Sequence, residues 1–222
     1  MSAALDHLVV VAATLDEGVA WCEATLGITP GPGGQHALMG THNRLFSIAT
    51  PDFPLAYFEI IAIDPAAPAP TRRRWFDMDD AALQQRVRRK GPQLVHWVAR
   101  VDNAPAAVAS LQAQGLDRGE VLAASRPTPQ GLLQWQITVR PDGQRLFDGL
   151  LPTLIQWGTA HPAAAMPASG ITLIGLELQH PRAEELNAAS AALGLGSLKV
   201  RQGPARLCAR LQTPSGVLTI GD

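Results

Sequence analysis

Two stretches of this chain repeat the same order of elements, and that repeat limits the possible fold more than any other feature. Leu5-Asp6-His7-Leu8-Val9-Val10-Val11 opens the first copy and Leu94-Val95-His96-Trp97-Val98-Ala99-Arg100 opens the second, His96 following His7 at an offset of 89. Both are short apolar runs rich in valine, the pattern of a buried strand. Each leads into a segment of helical periodicity that stops at a glycine, Gly27 in one copy and Gly115 in the other. Each also ends on an apolar strand with one polar residue embedded in it, Glu59 in the first and Gln156 in the second. These spacings describe two copies of one supersecondary unit, too long and too few for a solenoid.

Read in order, residues 1–65 form a β-α-β-β-β unit. A strand over residues 5–12 is followed by a helix capped by Thr14 and running to about residue 26, with Asp16 and Glu17 at its dipole-favoured end and Val19, Cys22 and Leu26 facing the core. Pro30-Gly31-Pro32-Gly33-Gly34 must be loop. Strands follow at Gln35–Met39, Arg44–Ala49 and Leu55–Ile63, the first two joined as a hairpin through Gly40-Thr41-His42-Asn43. Residues 66–93 read as a linker carrying a helix from about Asp79 to Arg89, capped by Asp77 or Asp79 and stopped at Gly91-Pro92.

Residues 94–157 repeat the unit: strand Leu94–Val101, helix Asn103–Gln114, and strands Glu120–Ser125, Leu132–Val139 and Leu150–Trp157. Residues 158–222 hold a second linker and a shorter third unit of βαββ type, with strand Ile171–Gln179, helix Ala183–Leu193 and further short strands. There Gly175 stands where alignment would place the histidine, so the architecture does not require a histidine at that point. The fold class expected is α+β, two full βαβββ units paired into a cup-shaped mixed sheet plus the shorter third.

Composition narrows the function classes. Hydrophobic residues at 46% and charged residues at 17% suit a globular core and exclude a disordered chain. A net charge of −1 gives no reason to expect nucleic acid or an anionic membrane as partner. No run approaches the roughly 18 apolar residues of a membrane span. The apolar start lacks a basic segment and carries Asp6 and His7, unlike a secretory signal. Cys22 and Cys208 alone do not make a disulfide framework, so a reduced, cytoplasmic setting is expected. Phosphate-binding glycine loops, a nucleophile elbow, HExxH and CxxC motifs are absent from the sequence.

Strand alternation assigns faces. If Glu59 faces the cup, so do Tyr57 and Ile61, with Phe58 and Ile60 behind; if Gln156 faces in, Leu154 does too, with Ile155 and Trp157 behind. A carboxylate in such a strand is costly to bury without a cation, metal or donor, which makes Glu59 the residue least easily explained by structure alone. His7 and His96 read either as satisfied core histidines or as members of a site. His36, His42 and Asn43 read as turn chemistry, or in the case of His36 and Asn43 as groups reaching a ligand over the cup rim. Arg72–Arg74 suit either a solvated linker or an anion patch. Trp75 and Phe76 suit a hydrophobic plug between halves, and Arg86, Arg88 and Arg89 the outer face of their helix.

Paired βαβββ units with LDHLVVV, GTHNRLFSI followed by YFEIIAID, RWF, and LPTLIQWG resemble the vicinal oxygen chelate superfamily, and within it the glyoxalase-like domain proteins. The resemblance implies a cup holding a divalent metal (zinc, nickel, manganese or iron) on the first and last strands of each unit. The corresponding positions here are His7, Glu59, His96 and Gln156. Gln156 departs from the acid common at its position and is a weak ligand. The activity implied is that of an isomerase or lyase on a small oxygenated molecule, with Glu59 as ligand or general base and His36, Asn43, Tyr57 and Trp135 as substrate contacts. Two other readings stand beside it. One is a ring-cleaving dioxygenase-like activity. The other is a metal-free binding or sequestering protein in which Trp97, Trp135 and Tyr57 matter most. Partners expected are a small-molecule substrate and a second copy in a homodimer.

Overall fold

The computed structural model describes residues 2–129 and 131–221. Strand β1 (Ala3–Val11) forms the middle of the molecule, paired in parallel with β4 (Tyr57–Ile63) on one side and antiparallel with β5 (Gln93–Val101) on the other. Being buried on both faces, it needs the nearly continuous apolar run that the sequence supplies. Helix α1 (Leu15–Leu26) crosses behind it. Thr14 accepts the Glu17 amide, and Gly27, in left-handed conformation, ends the helix. Gly18 rather than Val19 takes the innermost position, because a Cβ there would lie 2.4 Å from Ile60 Cγ2; its absence lets the helix settle on the sheet.

The first unit finishes with β2 (Gln35–His36), β3 (Thr41–Ser47) and β4; the second comprises β5, α3 (Ala104–Gln112), β6 (Glu120–Thr128), β7 (Gly131–Val139) and β8 (Thr153–Trp157). The strand order β2-β3-β4-β1-β5-β8-β7-β6 is the same arrangement run outward twice from the β1/β5 junction, and the eight strands curl into a cup. Helix α2 (Ala81–Lys90) lies between the units. Its cap is Asp80, not Asp77 or Asp79: the Asp77 carboxylate is taken by Arg145 at 2.8 Å and that of Asp79 by Arg74 at 2.6 Å. Those pairs, with Arg72 on Glu120, give Arg72 and Arg74 of the linker partners within the protein.

The third unit has β9 (Thr172–His180), α4 (Ala183–Leu193), β10 (Val200–Gln202), β11 (Arg206–Thr213) and β12 (Gly216–Gly221) in the order β10-β9-β11-β12. Here the strand directly after the helix takes the parallel place beside the opening strand, a simple βαβ crossover. In the first two units the last strand holds that place. The four-stranded sheet of the third unit and helices α1, α3 and α4 share one core behind the large sheet, where Leu8, Phe58, Ile60 and Trp97 meet Leu111, Leu173, Leu186 and Leu211. A second core fills the cup, built on Val9, Val11, Ile61, Val98 and Ile137 and plugged by Trp75, Phe76, Leu83 and Val87. The plug turns on Phe76 and Asp77, both left-handed at φ 59° and 57°. Such non-glycine residues cost on the order of 1–3 kcal/mol each and persist only when clamped. The clamp is Asp77, bound by the Arg145 side chain and amide, with its own N–H on Gly143 O.

Candidate active site

Glu59 lies at the floor of the cup, with Tyr57 and Ile61 on its face and Phe58 and Ile60 behind, as strand alternation requires. It is 5% exposed. Asn43, on the neighbouring strand β3, donates to Glu59 Oε1 at 2.6 Å, and His7 Nε2 stands 3.6 Å from Oε2. Burial pushes the Glu59 carboxyl above the usual carboxylate range; His7, Asn43 and the Arg126 guanidinium offset part of that rise.

Asn43 is itself held: its Oδ1 accepts the Gly34 amide at 2.8 Å, and its Nδ2 faces His36 Nε2 at 3.4 Å. His36 Nδ1 in turn lies 3.0 Å from Thr41 Oγ1. Burial, then the nearby Arg126, push the His36 imidazole down to about 3, so it is neutral. The glycine loop makes this possible, since a Cβ on Gly33 would fall 2.0 Å from the Asn43 carbonyl oxygen. Gly33→Ala is expected to destabilise the fold by about 1–3 kcal/mol, the usual cost of an added methyl that has no space. Urea melts check this, and a cost below a few tenths would show that the loop does not brace Asn43.

His7 is fixed from behind by a residue that sequence reasoning missed. Asp6 is fully buried and takes His7 Nδ1 at 2.7 Å, Trp157 Nε1 at 2.9 Å and His161 Nε2 at 3.0 Å. Burial alone would raise this carboxyl, but the His161 and His7 contacts hold it well below the usual range. Asp6 reaches the cup side because the β1–β5 register slips between Leu5 and His7, leaving Asp6 as the extra residue of a bulge. Its place directly before His7 was the only signal. With Nδ1–H on Asp6, His7 turns Nε2 toward Glu59.

The structure does not bring His96 and Gln156 to this point. His96 is buried with Nδ1 against Gly149 O at 2.8 Å and Nε2 beside Thr153 Oγ1 and the Thr153 amide. Burial and the Arg118 and Arg145 cations keep it well below the ordinary histidine value, hence neutral. Gln156 faces the other way: its Oε1 accepts the Ala104 amide at the start of α3, Leu154 lies in the rear core, and Ile155 and Trp157 face the cup. The parity expected for β8 is reversed. His36, Asn43, Tyr57 and Trp135 do line the cavity with His7 and Glu59; Tyr57 stacks on His7 at 4.5 Å between ring centroids. Arg126 on β6 lines it as well, and nothing in the sequence marked it out. Trp97 is fully buried behind the sheet.

The donor set does not fit a resident divalent ion in the form that the resemblance implied. His7 Nε2 and Glu59 converge, but catalytic metal centres typically take three protein ligands. Among the described residues, no group of three His, Cys, Asp or Glu side chains is placed to hold one. What the residues do form is a buried carboxyl oriented by an amide, a histidine backed by a second carboxylate, and a guanidinium at an aromatic wall.

A cup made of two βαβββ units, carrying its polar groups on the strands beside the junction, defines a vicinal oxygen chelate fold. The family model described as the glyoxalase-like domain matches residues 5–194, and the chain belongs to that family. Among solved structures, a hypothetical protein from Staphylococcus aureus is similar over 100% of this chain and 86% of its own, at 16% identity and a TM-score of 0.60. Methylmalonyl-CoA epimerase from Mycobacterium tuberculosis is similar over 73% of this chain and 91% of its own, at 18% identity and a TM-score of 0.39. The Streptomyces coelicolor epimerase in complex with 2-nitronate-propionyl-CoA gives 72% and 99% at 18% identity and 0.42. No curated protein matches the chain. No helix among the described residues is long and apolar enough to cross a membrane.

Proposed function

We propose that this protein is an isomerase or lyase that moves a proton on a small oxygenated organic molecule bound in the cup, with Glu59 as the general base. The observation that carries the reading is a carboxyl at 5% exposure whose burial raises its proton affinity, aimed into a cavity by Asn43 and backed by His7 at 3.6 Å. A raised carboxyl is suited to taking a proton from carbon near neutral pH.

The step balances without any further reagent. Glu59 takes the proton from a carbon next to a carbonyl, and the electron pair of the broken C–H bond moves onto the carbonyl oxygen as an enolate. Return of the proton to the other face or to a neighbouring atom gives an isomer; expulsion of a group on the next carbon gives a lyase product. His7 Nε2, 3.6 Å from the Glu59 carboxylate, relays the proton, with Asp6 holding the imidazole orientation. The cavity measures about 30 Å³, room for a water or two. Admission of a substrate therefore needs side chains of the lining to move outward.

The test is hydrogen exchange. Small aldehydes, hydroxyketones and 2-oxo acids are incubated with the protein in deuterium oxide and followed by proton NMR. Protein-dependent loss of the signal next to the carbonyl in at least one compound is expected. A panel with no exchange above the buffer rate would sink the assignment. A second reading, a sequestering protein without chemistry, is favoured by the aromatic wall of Tyr57, Trp75, Phe76, Trp135 and Trp157. It predicts binding without exchange.

A further inference from the structure

Among the described residues, Arg126 is the one lysine or arginine on the cavity lining, and its pairing is incomplete. Its Nη1 donates to Gly33 O at 3.1 Å, and among the described residues no carboxylate lies within ion-pair distance of it. The guanidinium is laid against the glycine loop because Gly34 has no side chain; a Cβ there would sit 2.3 Å from Nη1. A half-buried guanidinium presents a planar fork of donors, and one backbone carbonyl occupies only part of it.

A second residue of the lining carries an unpartnered donor. Trp75 is 6% exposed, and its indole Nε1 is buried with no hydrogen-bond acceptor. Buried indole N–H groups ordinarily find an acceptor, and leaving one unmade costs on the order of 1–3 kcal/mol. Trp75 is not a loose side chain: it stacks on Phe76 at 5.3 Å and packs edge-on to His36 at 5.1 Å, on the segment clamped by Asp77 and Arg145. The lining residues thus carry an N–H donor without an acceptor and a guanidinium without a carboxylate partner. The first calls for an acceptor oxygen, the second for one that carries negative charge.

We propose that the ligand of this cup is a small carboxylate, one oxygen pair of which is taken by Arg126 with the Trp75 N–H as an additional donor. This rests on the proton-transfer reading above and narrows its substrate to acids with a carbonyl or hydroxyl beside the reacting carbon. Arg126 then has two effects. It balances the charge of the bound acid in a cup that already holds Glu59, and it sets which end of the molecule faces that residue.

Ligand-observed NMR titration on the full chain tests the inference. The probes are acetate, propanoate, pyruvate and lactate, each against its primary amide. The expected result is binding of at least one acid about 10–100-fold tighter than its amide, the range for losing a charge-assisted hydrogen bond. Arg126→Gln should erase that preference, and Arg126→Lys should restore part of it. Trp75→Phe should weaken binding of the acid. Equal binding of acid and amide, an Arg126→Gln protein with the preference intact, or no binding by any acid would each overturn the proposal. The two readings fail separately. Arg126-dependent acid binding without deuterium exchange would remove the proton-transfer role and leave this inference standing. Exchange confined to uncharged carbonyl compounds and indifferent to Arg126→Gln would do the reverse.

Discussion

Replacing Glu59 with glutamine is expected to abolish hydrogen exchange while making the protein more stable above about pH 5. The two effects share one cause. The wild-type carboxyl is buried, and its pKa is raised above the unfolded value. The native state therefore keeps a proton where the unfolded chain has already released it, and stability falls as pH climbs from the unfolded value through the folded one. Glutamine has nearly the same shape, can still accept the Asn43 N–H donated at 2.6 Å, and never ionises. The expected gain is about 0.5–2 kcal/mol at neutral pH, as is common when a functional group is traded for stability. The expected loss of exchange is about 10²–10⁴-fold, the usual contribution of a positioned base. Urea melts across pH 4–8 beside the deuterium assay read both. A variant that exchanges at the wild-type rate, or that is less stable at every pH, would contradict the role given to Glu59.

Removing Asp6 should produce the largest change in stability. Among the described residues, its carboxylate is the acceptor for Trp157 Nε1 and for His161 Nε2, and it also takes His7 Nδ1. Asp6→Ala would leave these groups buried or half-buried with nothing to bond, at a cost of about 3–5 kcal/mol. The sign of the pH dependence is opposite to that of Glu59. Because the folded-state pKa is depressed, Asp6 contributes stability that is fully present above the unfolded carboxylate value near 4 and is lost as pH falls below it. Wild-type protein should therefore lose stability from about pH 5 downward more steeply than Asp6→Asn, whose curve lacks this component. Denaturation midpoints from pH 3 to 8 decide the matter. A cost under about 1 kcal/mol for Asp6→Ala would mean that the cluster is held by packing rather than by the carboxylate.

How far the sequence could be read depended on which physical signal each residue left. The strand YFEIIAI is uninterrupted, so period two alone showed that Tyr57, Glu59 and Ile61 share a face; that this face is the cup is what the folded chain adds. For β8 the same reasoning needed to know where the strand begins. The chain enters it from a turn in which Phe147 and Asp148 are both left-handed, so the strand starts at Thr153, three residues later than the expected Leu150, and Gln156 meets the helix instead of the cup. No composition signal marks those two residues. Asp6 was hidden by a bulge, since regular alternation would have placed it on the opposite face from His7.

His7 and His96 look alike in sequence and differ in structure because their surroundings come from far away. Gly149, Thr153 and Arg118 satisfy both ring nitrogens of His96, whereas His7 keeps one nitrogen toward Glu59. A one-dimensional repeat shows that two positions are equivalent in the fold. It cannot show which one is already occupied. Trp75 and Phe76 read correctly as a plug, but the empty N–H that makes Trp75 a donor depends on neighbours that only the folded chain supplies.

The knot around Asp6 also has a consequence for how the molecule matures. Asp6 and His161 are 155 residues apart, and Asp6 and Trp157 are 151 apart, so these contacts close only after both βαβββ units have met. Contacts of such sequence separation are entropically expensive to form early and characteristically arrive late in folding. The orientation of His7 is thus inherited from the final docking of the segment that leads to the third unit. An intermediate could have Glu59 and Asn43 in place on adjacent strands and still lack a fixed His7. In refolding experiments, secondary structure should recover before hydrogen exchange does, and the lag between them would time the arrival of His161.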